Sequence, residues 1–202
     1  EHAVTFAAGM AASGLRPVVC IYSTFLQRAY DQILHDVCLQ KLPVIFAIDR
    51  AGIVPRDGET HQGLFDIAFL SSMPGMTVLA PSNGRELRKM LSYALTVDGP
   101  VAIRYPKGSQ DSDLVPDEVS AIETGRCDEV ARGADIAISF LGPLRSTIDE
   151  VTESLAADGI RPTVADARFA VPFDRDWIRG LAGTHRVLVT VEEGVSTGGY
   201  GE

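Results

Sequence analysis

The stretch PVVCIYSTFLQRAYDQILHDVCLQKLPVIFAI, residues 17–48, decides the fold. It begins and ends with short, continuously apolar runs, Pro17–Tyr22 and Pro43–Ile48, which are typical of strands buried on both faces of a sheet. Between the two runs, apolar residues recur near helical spacing, at Phe25, Ala29, Ile33 and Val37. A strand, a helix and a strand in this order predict a mostly parallel sheet with helices on both faces.

The same alternation continues on both sides of this stretch. An Ala-rich helix is predicted before it, over His2–Ser13. After it, the pattern predicts helices and strands in turn, at Leu64–Leu70, Thr77–Ala80, Pro81–Thr96 and Val101–Tyr105. Beyond residue 125 it predicts strands and helices in turn, at Asp135–Leu141, Pro143–Asp158, Pro162–Ala167, Asp174–Ala182 and Val187–Val191. The predicted fold class is therefore α/β, with two parallel-sheet α/β units.

A change of composition separates the two units. The segment Pro106–Gly125 is rich in Asp, Ser, Pro and Gly and shows little periodicity, which is typical of a linker or a loop-rich crossover. We therefore predict a first domain at 1–108, a linker at 109–125 and a second domain at 126–202. Because the sequence starts without Met and stops inside a glycine-rich stretch, we expect a piece of a longer chain with its second domain truncated.

The overall composition excludes several classes of protein. Of the 202 residues, 46% are hydrophobic and 22% are charged, unlike disordered or collagen-like chains. The formal net charge of -9 argues against a nucleic-acid or membrane-surface partner, although a local basic pocket can still exist. The three cysteines match no metal or disulfide spacing, which favours a reducing, cytoplasmic location. No apolar run approaches the ~20 residues of a membrane span.

Three segments are expected to follow strands at the carboxyl edge of the first sheet, where open α/β sheets bind ligands: Tyr22–Arg28, Asp49–Gly63 and Arg104–Gly108. The middle segment, DRAGIVPRDGETHQG, is long, polar and punctuated by glycine. Loops of this length inside a compact domain are usually functional. We therefore place the candidate site around this loop.

Two arginines near these strand ends have two readings each. Arg50 and Arg104 could clamp a phosphate or carboxylate with two parallel hydrogen bonds. They could equally form structural ion pairs with neighbouring carboxylates.

The other candidate side chains are also open to alternatives. His61 could donate or accept a proton, or could be a bystander in a polar loop. Tyr22 and Phe25 could stack on a planar ligand or simply pack in the core. The sequence contains no glycine-rich phosphate-binding motif, no nucleophile elbow and no metal-binding cluster. The residues alone therefore indicate an α/β enzyme with an anion-binding loop and no metal ligands.

Six short stretches carry a family resemblance. The most specific is IYSTFLQRAYDQ at 21–32. The others are EHAVTFAAG at 1–9, IDRAGIV at 48–54, THQG at 60–63, IRYPKG at 103–108 and VEEG at 191–194. Through them the chain resembles the 1-deoxy-D-xylulose-5-phosphate synthase family of transketolase-like, thiamine-diphosphate enzymes. The resemblance implies a pyrimidine-binding domain followed by a C-terminal transketolase-like domain.

The resemblance also implies a reaction. Pyruvate would lose CO2 and condense with the aldehyde of glyceraldehyde 3-phosphate, in a step that feeds isoprenoid, thiamine and pyridoxal synthesis. Thiamine diphosphate and Mg2+ would be the cofactors, with the diphosphate and metal held by a domain that has no counterpart in this sequence. A homodimer is expected, and the chain alone is expected to be inactive. The alternatives are a transketolase, a 2-oxoacid dehydrogenase β-type subunit, or a non-catalytic α/β module.

Carried over position by position, the resemblance assigns roles to individual residues. The cofactor pocket would be lined by Phe25, which packs on the aminopyrimidine, with Tyr22 and Arg28. The substrate-binding residues would be Arg50, Tyr22, Asp57, His61 and either Arg104 or Lys107. Asp57 and His61 would be the catalytic pair, with His61 as the proton shuttle and Arg50 on the acceptor's phosphate.

The chain departs from the family pattern at two places. Lys107 stands where the family usually has arginine, which keeps the positive charge but loses the two-pronged geometry. This leaves open whether Arg104 or Lys107 holds a phosphate. The family's catalytic glutamate is expected immediately before Glu1.

Overall fold

A computed structural model describes residues 1–108 and 120–202. The first sheet contains the parallel strands β1 (Val18–Tyr22), β2 (Ile45–Asp49), β3 (Thr77–Leu79) and β4 (Val101–Arg104) in the order β1-β2-β4-β3. The second sheet contains β5 (Asp128–Ala131), β6 (Asp135–Leu141), β7 (Thr163–Asp166) and β9 (His185–Glu192) in the order β5-β7-β6-β9. Between β7 and β9 the chain forms β8 (Phe169–Val171), which pairs antiparallel with β3 of the first sheet.

Helices connect most of these strands. They are α1 (His2–Ala12), α2 (Ser23–Leu26), α3 (Tyr30–Gln32), α4 (Asp66–Ser71), α5 (Gly84–Ala94), α6 (Arg145–Ala157) and α7 (Arg175–Leu181). The order of strands and helices confirms the predicted mostly parallel α/β fold with two sheets. Within residues 1–108 and 120–202, none of the helices is long and apolar enough to cross a membrane.

The helical segment between β1 and β2 differs from the single regular helix that the periodicity predicts. Its hydrogen-bond pattern changes along its length, through α2, a 3-10 turn at Gln27–Ala29, α3 and a π-helix at Ile33–Cys38. Its fully buried face consists of Leu26, Ala29, Ile33 and Val37. Because Leu26 rather than Phe25 completes this face, the Phe25 ring is left 49% exposed at the carboxyl edge of the sheet.

Two strands were not predicted from the sequence, β5 and β8. Both pair antiparallel, and both are only three or four residues long. Each is fixed by pairing with a strand far away along the chain, β7 for β5 and β3 for β8, and such pairing leaves no local pattern in the sequence. Strand β8 matters most, because it makes the second half of the chain contribute to the first sheet.

The core beneath β8 joins the two halves of the chain. Phe169 is fully buried and belongs to the same apolar cluster as Leu79 and Met90 of the first half. Beside it, Arg168 Nε donates to Glu86 Oε1 at 2.6 Å, and both side chains are almost completely buried. The division into 1–108, 109–125 and 126–202 stays a prediction, and most of the predicted linker, 109–119, lies outside the described residues.

Removing the Phe169 ring should weaken this shared core. We expect Phe169→Ala to lower the free energy of unfolding by about 3–5 kcal/mol, the usual loss for a buried phenylalanine. Urea denaturation measures this loss, with Phe173→Ala as the matched control because Phe173 is 40% exposed. Equal losses in the two variants would contradict the shared core.

Candidate active site

The carboxyl ends of neighbouring strands bring the loop of 49–63 next to the start of α2. Tyr22, the last residue of β1, pairs in register with Asp49, the last residue of β2. After β2 the chain folds back on itself, and Gly52 and Gly63 exchange backbone hydrogen bonds of 2.7 and 2.9 Å. Gly52 has a φ of +77°, which favours glycine at this corner. The loop therefore stands as a closed unit at the edge of the first sheet.

Gln62 holds this loop from within. Its amide oxygen accepts from Val54 N at 2.8 Å, and its amide nitrogen donates to Val54 O at 2.9 Å and to Gly58 O at 3.1 Å. Gln62 was not among the predicted site residues, although it lies inside the THQG stretch that carries the family resemblance. A side chain bonded at three points limits the freedom of the loop between them.

An aromatic group lies beside the loop. The rings of Tyr22 and Phe25 are stacked with their centroids 5.4 Å apart, and His61 meets Phe25 edge-on, also at 5.4 Å. The guanidinium carbon of Arg50 lies 3.9 Å from the centroid of the Tyr22 ring. An exposed aromatic face bordered by polar groups suits a planar, heteroaromatic ligand.

A charged group borders the aromatic one. Arg50 Nη1 donates to Asp49 Oδ2 at 2.7 Å, and Arg50 Nε donates to Asp57 Oδ2 at 3.0 Å. Lys107 Nζ donates to the other oxygen of Asp57. The hydrogen bond from Lys107, together with that from Arg50, lowers the pKa of Asp57, so this carboxyl is ionised at neutral pH. Two cations therefore share one carboxylate, which is an arrangement that a phosphate can join.

The structure thus brings together most of the residues predicted from the sequence. They are Tyr22, Phe25, Arg50, Asp57, His61 and Lys107. Arg50 forms the ion pairs with neighbouring carboxylates, and it also borders the aromatic group. Its use as a clamp on a ligand stays a prediction.

Arg28 and Arg104 are placed differently. Arg28 is exposed on the 3-10 turn after α2, and among the described residues it forms no hydrogen bond or ion pair with this group. Arg104 is buried, with its side chain 2% exposed. Its Nε donates to Asp66 Oδ1 at 2.9 Å, and Asp66 is fully buried. The structure therefore argues against Arg104 as a phosphate ligand and leaves Lys107, on the exposed side, as the candidate.

The buried Arg104 also contacts the end of the loop at Gly63 and one residue that was not among the predicted site residues, Glu193. Its Nη2 donates to the backbone oxygen of Glu193 at 3.0 Å and lies 3.5 Å from that of Gly63. Burial raises the pKa of the Glu193 carboxyl, while Arg104 and the backbone N–H of Ile53 act in the opposite direction. The only sequence signal for Glu193 was the VEEG stretch that it shares with the family.

Each half of the chain matches a known protein family. Residues 1–111 match the family described as "Transketolase, pyrimidine binding domain", and residues 125–202 match "Transketolase, C-terminal domain". The chain belongs to the transketolase family. Members of this family are thiamine-diphosphate enzymes, and the family resemblance expected from the sequence is confirmed.

Individual relatives agree with this assignment. The chain is 52% identical over 202 residues to a 1-deoxy-D-xylulose-5-phosphate synthase of Lachnoclostridium phytofermentans and 51% identical to one of Thermomicrobium roseum. Both matches cover all of this chain and 32% of the relative, so the chain spans about a third of the length of these curated relatives.

Solved structures of transketolases share the fold. A structure titled "Split gene transketolase, inactive beta4 tetramer" is similar with a TM-score of 0.88 and 30% identity, over 97% of this chain and 63% of that one. A transketolase of Campylobacter jejuni is similar in fold, with a TM-score of 0.82 and 19% identity, over 95% of this chain and 30% of its own. The transketolase fold thus extends over both halves of the described chain.

Removing the charge of Arg104 should lower the free energy of unfolding more than removing the charge of Arg50. Arg104→Met leaves the fully buried Asp66 carboxylate without its partner, so we expect the free energy of unfolding to fall by about 3–5 kcal/mol. Arg50→Met, in a more exposed position, should cost much less stability. Chemical denaturation of both variants measures this contrast, and a loss in Arg50→Met as large as that in Arg104→Met would contradict it.

Proposed function

We propose that this transketolase-family chain is part of a 1-deoxy-D-xylulose-5-phosphate synthase, a transferase that condenses pyruvate with glyceraldehyde 3-phosphate and releases CO2. The observation that carries this proposal is the joined aromatic and charged group at the edge of the first sheet. It is supported by relatives of that name at about half identity along the whole chain. The product would serve isoprenoid, thiamine and pyridoxal synthesis.

The aromatic group fits the pyrimidine end of thiamine diphosphate. Phe25 offers an exposed face, and its stacking on Tyr22 holds that face in place. When bound, thiamine diphosphate supplies the carbon nucleophile that adds to the 2-oxo group of pyruvate and lets CO2 leave. Within residues 1–108 and 120–202 no group of three or more His, Cys, Asp and Glu side chains could hold a metal ion, so Mg2+ stays a prediction.

The charged group would hold the acceptor's phosphate. Arg50 uses Nε and Nη1 for Asp57 and Asp49, which leaves Nη2 to donate to a ligand. Lys107 brings a second positive charge to the same place, as a point charge rather than a fork. Asp57 holds both cations in position before the phosphate arrives, and it would also accept from a hydroxyl group of the acceptor.

His61 would exchange a proton with the aldehyde oxygen of the acceptor. Thr60 Oγ1 lies 2.9 Å from His61 Nδ1, and the Phe25 ring packs against the imidazole. These two contacts orient the ring so that Nε2 can exchange a proton with the aldehyde oxygen of the acceptor. Imidazole groups exchange protons near neutral pH, which suits this role.

Transketolase activity is the second candidate, because a split-gene transketolase shares this fold with a TM-score of 0.88. That structure is titled as an inactive tetramer, which supports our expectation that this chain alone is inactive. The homodimer and the cytoplasmic location inferred from the sequence also remain proposals. The two activities differ in the donor: pyruvate for the synthase, and a ketose phosphate for a transketolase.

A turnover assay on the full-length protein separates these candidates. With thiamine diphosphate and Mg2+ present, we expect consumption of pyruvate and glyceraldehyde 3-phosphate together with release of CO2. Replacing pyruvate by a ketose phosphate should abolish most of the turnover. No reaction with pyruvate under these conditions would reject the proposed function.

The role of Arg50 can be tested in the same assay. Arg50→Ala should raise the KM for glyceraldehyde 3-phosphate by about 10- to 100-fold, the usual loss for a charge-assisted hydrogen bond. The KM for pyruvate should change much less. Arg179→Ala is the matched control, since the Arg179 side chain is 77% exposed on α7. If both KM values rose equally, Arg50 would not be the acceptor's ligand.

A further inference from the structure

Glu193 reaches the loop of 49–63 from the other half of the chain; we call this loop the acceptor loop, because it carries Arg50 and Asp57. It follows β9 of the second sheet, yet its side chain packs against Gly52 at the start of the loop. A Cβ atom on Gly52 would lie 3.0 Å from the Cβ and Cδ atoms of Glu193, and closer still to its Oε2. Because a side chain on residue 52 would clash with Glu193, the corner of the loop fits only glycine at this position.

Glu193 acts on both ends of the loop. At the first end, the Glu193 side chain packs against Gly52. Burial has the largest effect on the pKa of this carboxyl and raises it, while the neighbouring backbone N–H of Ile53 lowers it. At the second end, the Glu193 backbone oxygen accepts from Arg104 Nη2, the same atom that lies near Gly63 O. Because Gly52 and Gly63 are themselves hydrogen-bonded, both ends of the loop are held in one arrangement.

The geometry of this corner extends to Arg50. Arg50 has a φ of +57°, an uncommon conformation for a residue with a side chain, and stands two positions before Gly52. A Cβ atom on Gly63 would lie 2.8 Å from the Cα of Ala51, so the two sides of the loop are packed at this point. A shift of Gly52 would therefore also move the backbone of Arg50 and change the direction of its guanidinium group.

We propose that Glu193 is a positioning residue: by filling the corner at Gly52 and Ile53, it fixes the direction of Arg50, so that the second half of the chain sets the affinity for the acceptor. This inference rests on the proposed function, because that function assigns the acceptor's phosphate to Arg50. Glu193 itself need not contact the acceptor.

The test uses the full-length protein and two independent readouts. Hydrogen–deuterium exchange of the Ile53 amide reports on the corner, and KM values for glyceraldehyde 3-phosphate and pyruvate report on the site. In Glu193→Ala, we expect both the Ile53 exchange rate and the acceptor KM to rise by about tenfold, because the corner loses the side chain that fills it and opens more often. The pyruvate KM should stay within about twofold of the wild-type value.

Two further variants keep the test specific. Glu193→Gln retains the length and one oxygen acceptor, so it should restore most of the wild-type exchange and acceptor KM even if Glu193→Ala folds poorly. Glu153→Ala, on the exposed face of α6, removes a carboxylate of the same type elsewhere in the second half and should change neither readout.

The outcomes that overturn the inference are separate from those that reject the proposed function. Unchanged exchange at Ile53 in Glu193→Ala overturns it, whatever the activity. Equal rises in the two KM values overturn it as well, because they indicate a general loss of structure. If the wild-type protein does not turn over pyruvate, the proposed function fails and the role in acceptor affinity fails with it.

Discussion

The buried ion pair between Arg104 and Asp66 supports the whole candidate site. Both side chains are almost completely removed from water, where a charge is tolerated only when it is paired and hydrogen-bonded. Asp66 uses its second oxygen to accept from Ser23 Oγ at 3.0 Å, at the start of α2. Arg104 Nη2 donates to the backbone oxygen of Glu193 and lies near that of Gly63. One pair thus connects the helix that carries Phe25, the end of the acceptor loop and the second half of the chain.

The positively charged side chains of the site lie at two depths, one in the interior and two near the surface. The inner arginine, Arg104, pairs with a buried carboxylate and holds segments together through Nε and Nη2. The outer cations, Arg50 and Lys107, share the Asp57 carboxylate nearer the surface, where we propose that the acceptor's phosphate binds. The aromatic pair is divided in a similar way, since Leu26 fills the core and leaves the neighbouring Phe25 exposed at the sheet edge. A rigid interior therefore presents a polar and aromatic edge where chemistry can take place.

Much of the fold could be predicted from the sequence, because short apolar runs and helical spacing determine the parallel strands and their connecting helices. The place of the loop at the sheet edge could also be predicted, since the loop follows a buried strand directly. The burial of Arg104 could not be predicted, because an arginine that ends a strand can turn inward or outward. Its partner Asp66 also lies 38 residues away in the sequence. The contact of Arg104 with Glu193 spans 89 residues and leaves no local pattern. Strand β8 escaped prediction for a similar reason: its pairing partner belongs to the other half of the chain.

We propose that one edge of the first sheet binds both the cofactor ring and the acceptor's phosphate. A crystal structure of the full-length protein with thiamine diphosphate and glyceraldehyde 3-phosphate would test this directly. We expect the pyrimidine ring against Phe25 and the phosphate within about 3 Å of the nitrogen atoms of Arg50 and Lys107. A phosphate bound elsewhere, with Arg50 still engaged only by Asp49 and Asp57, would rule this proposal out.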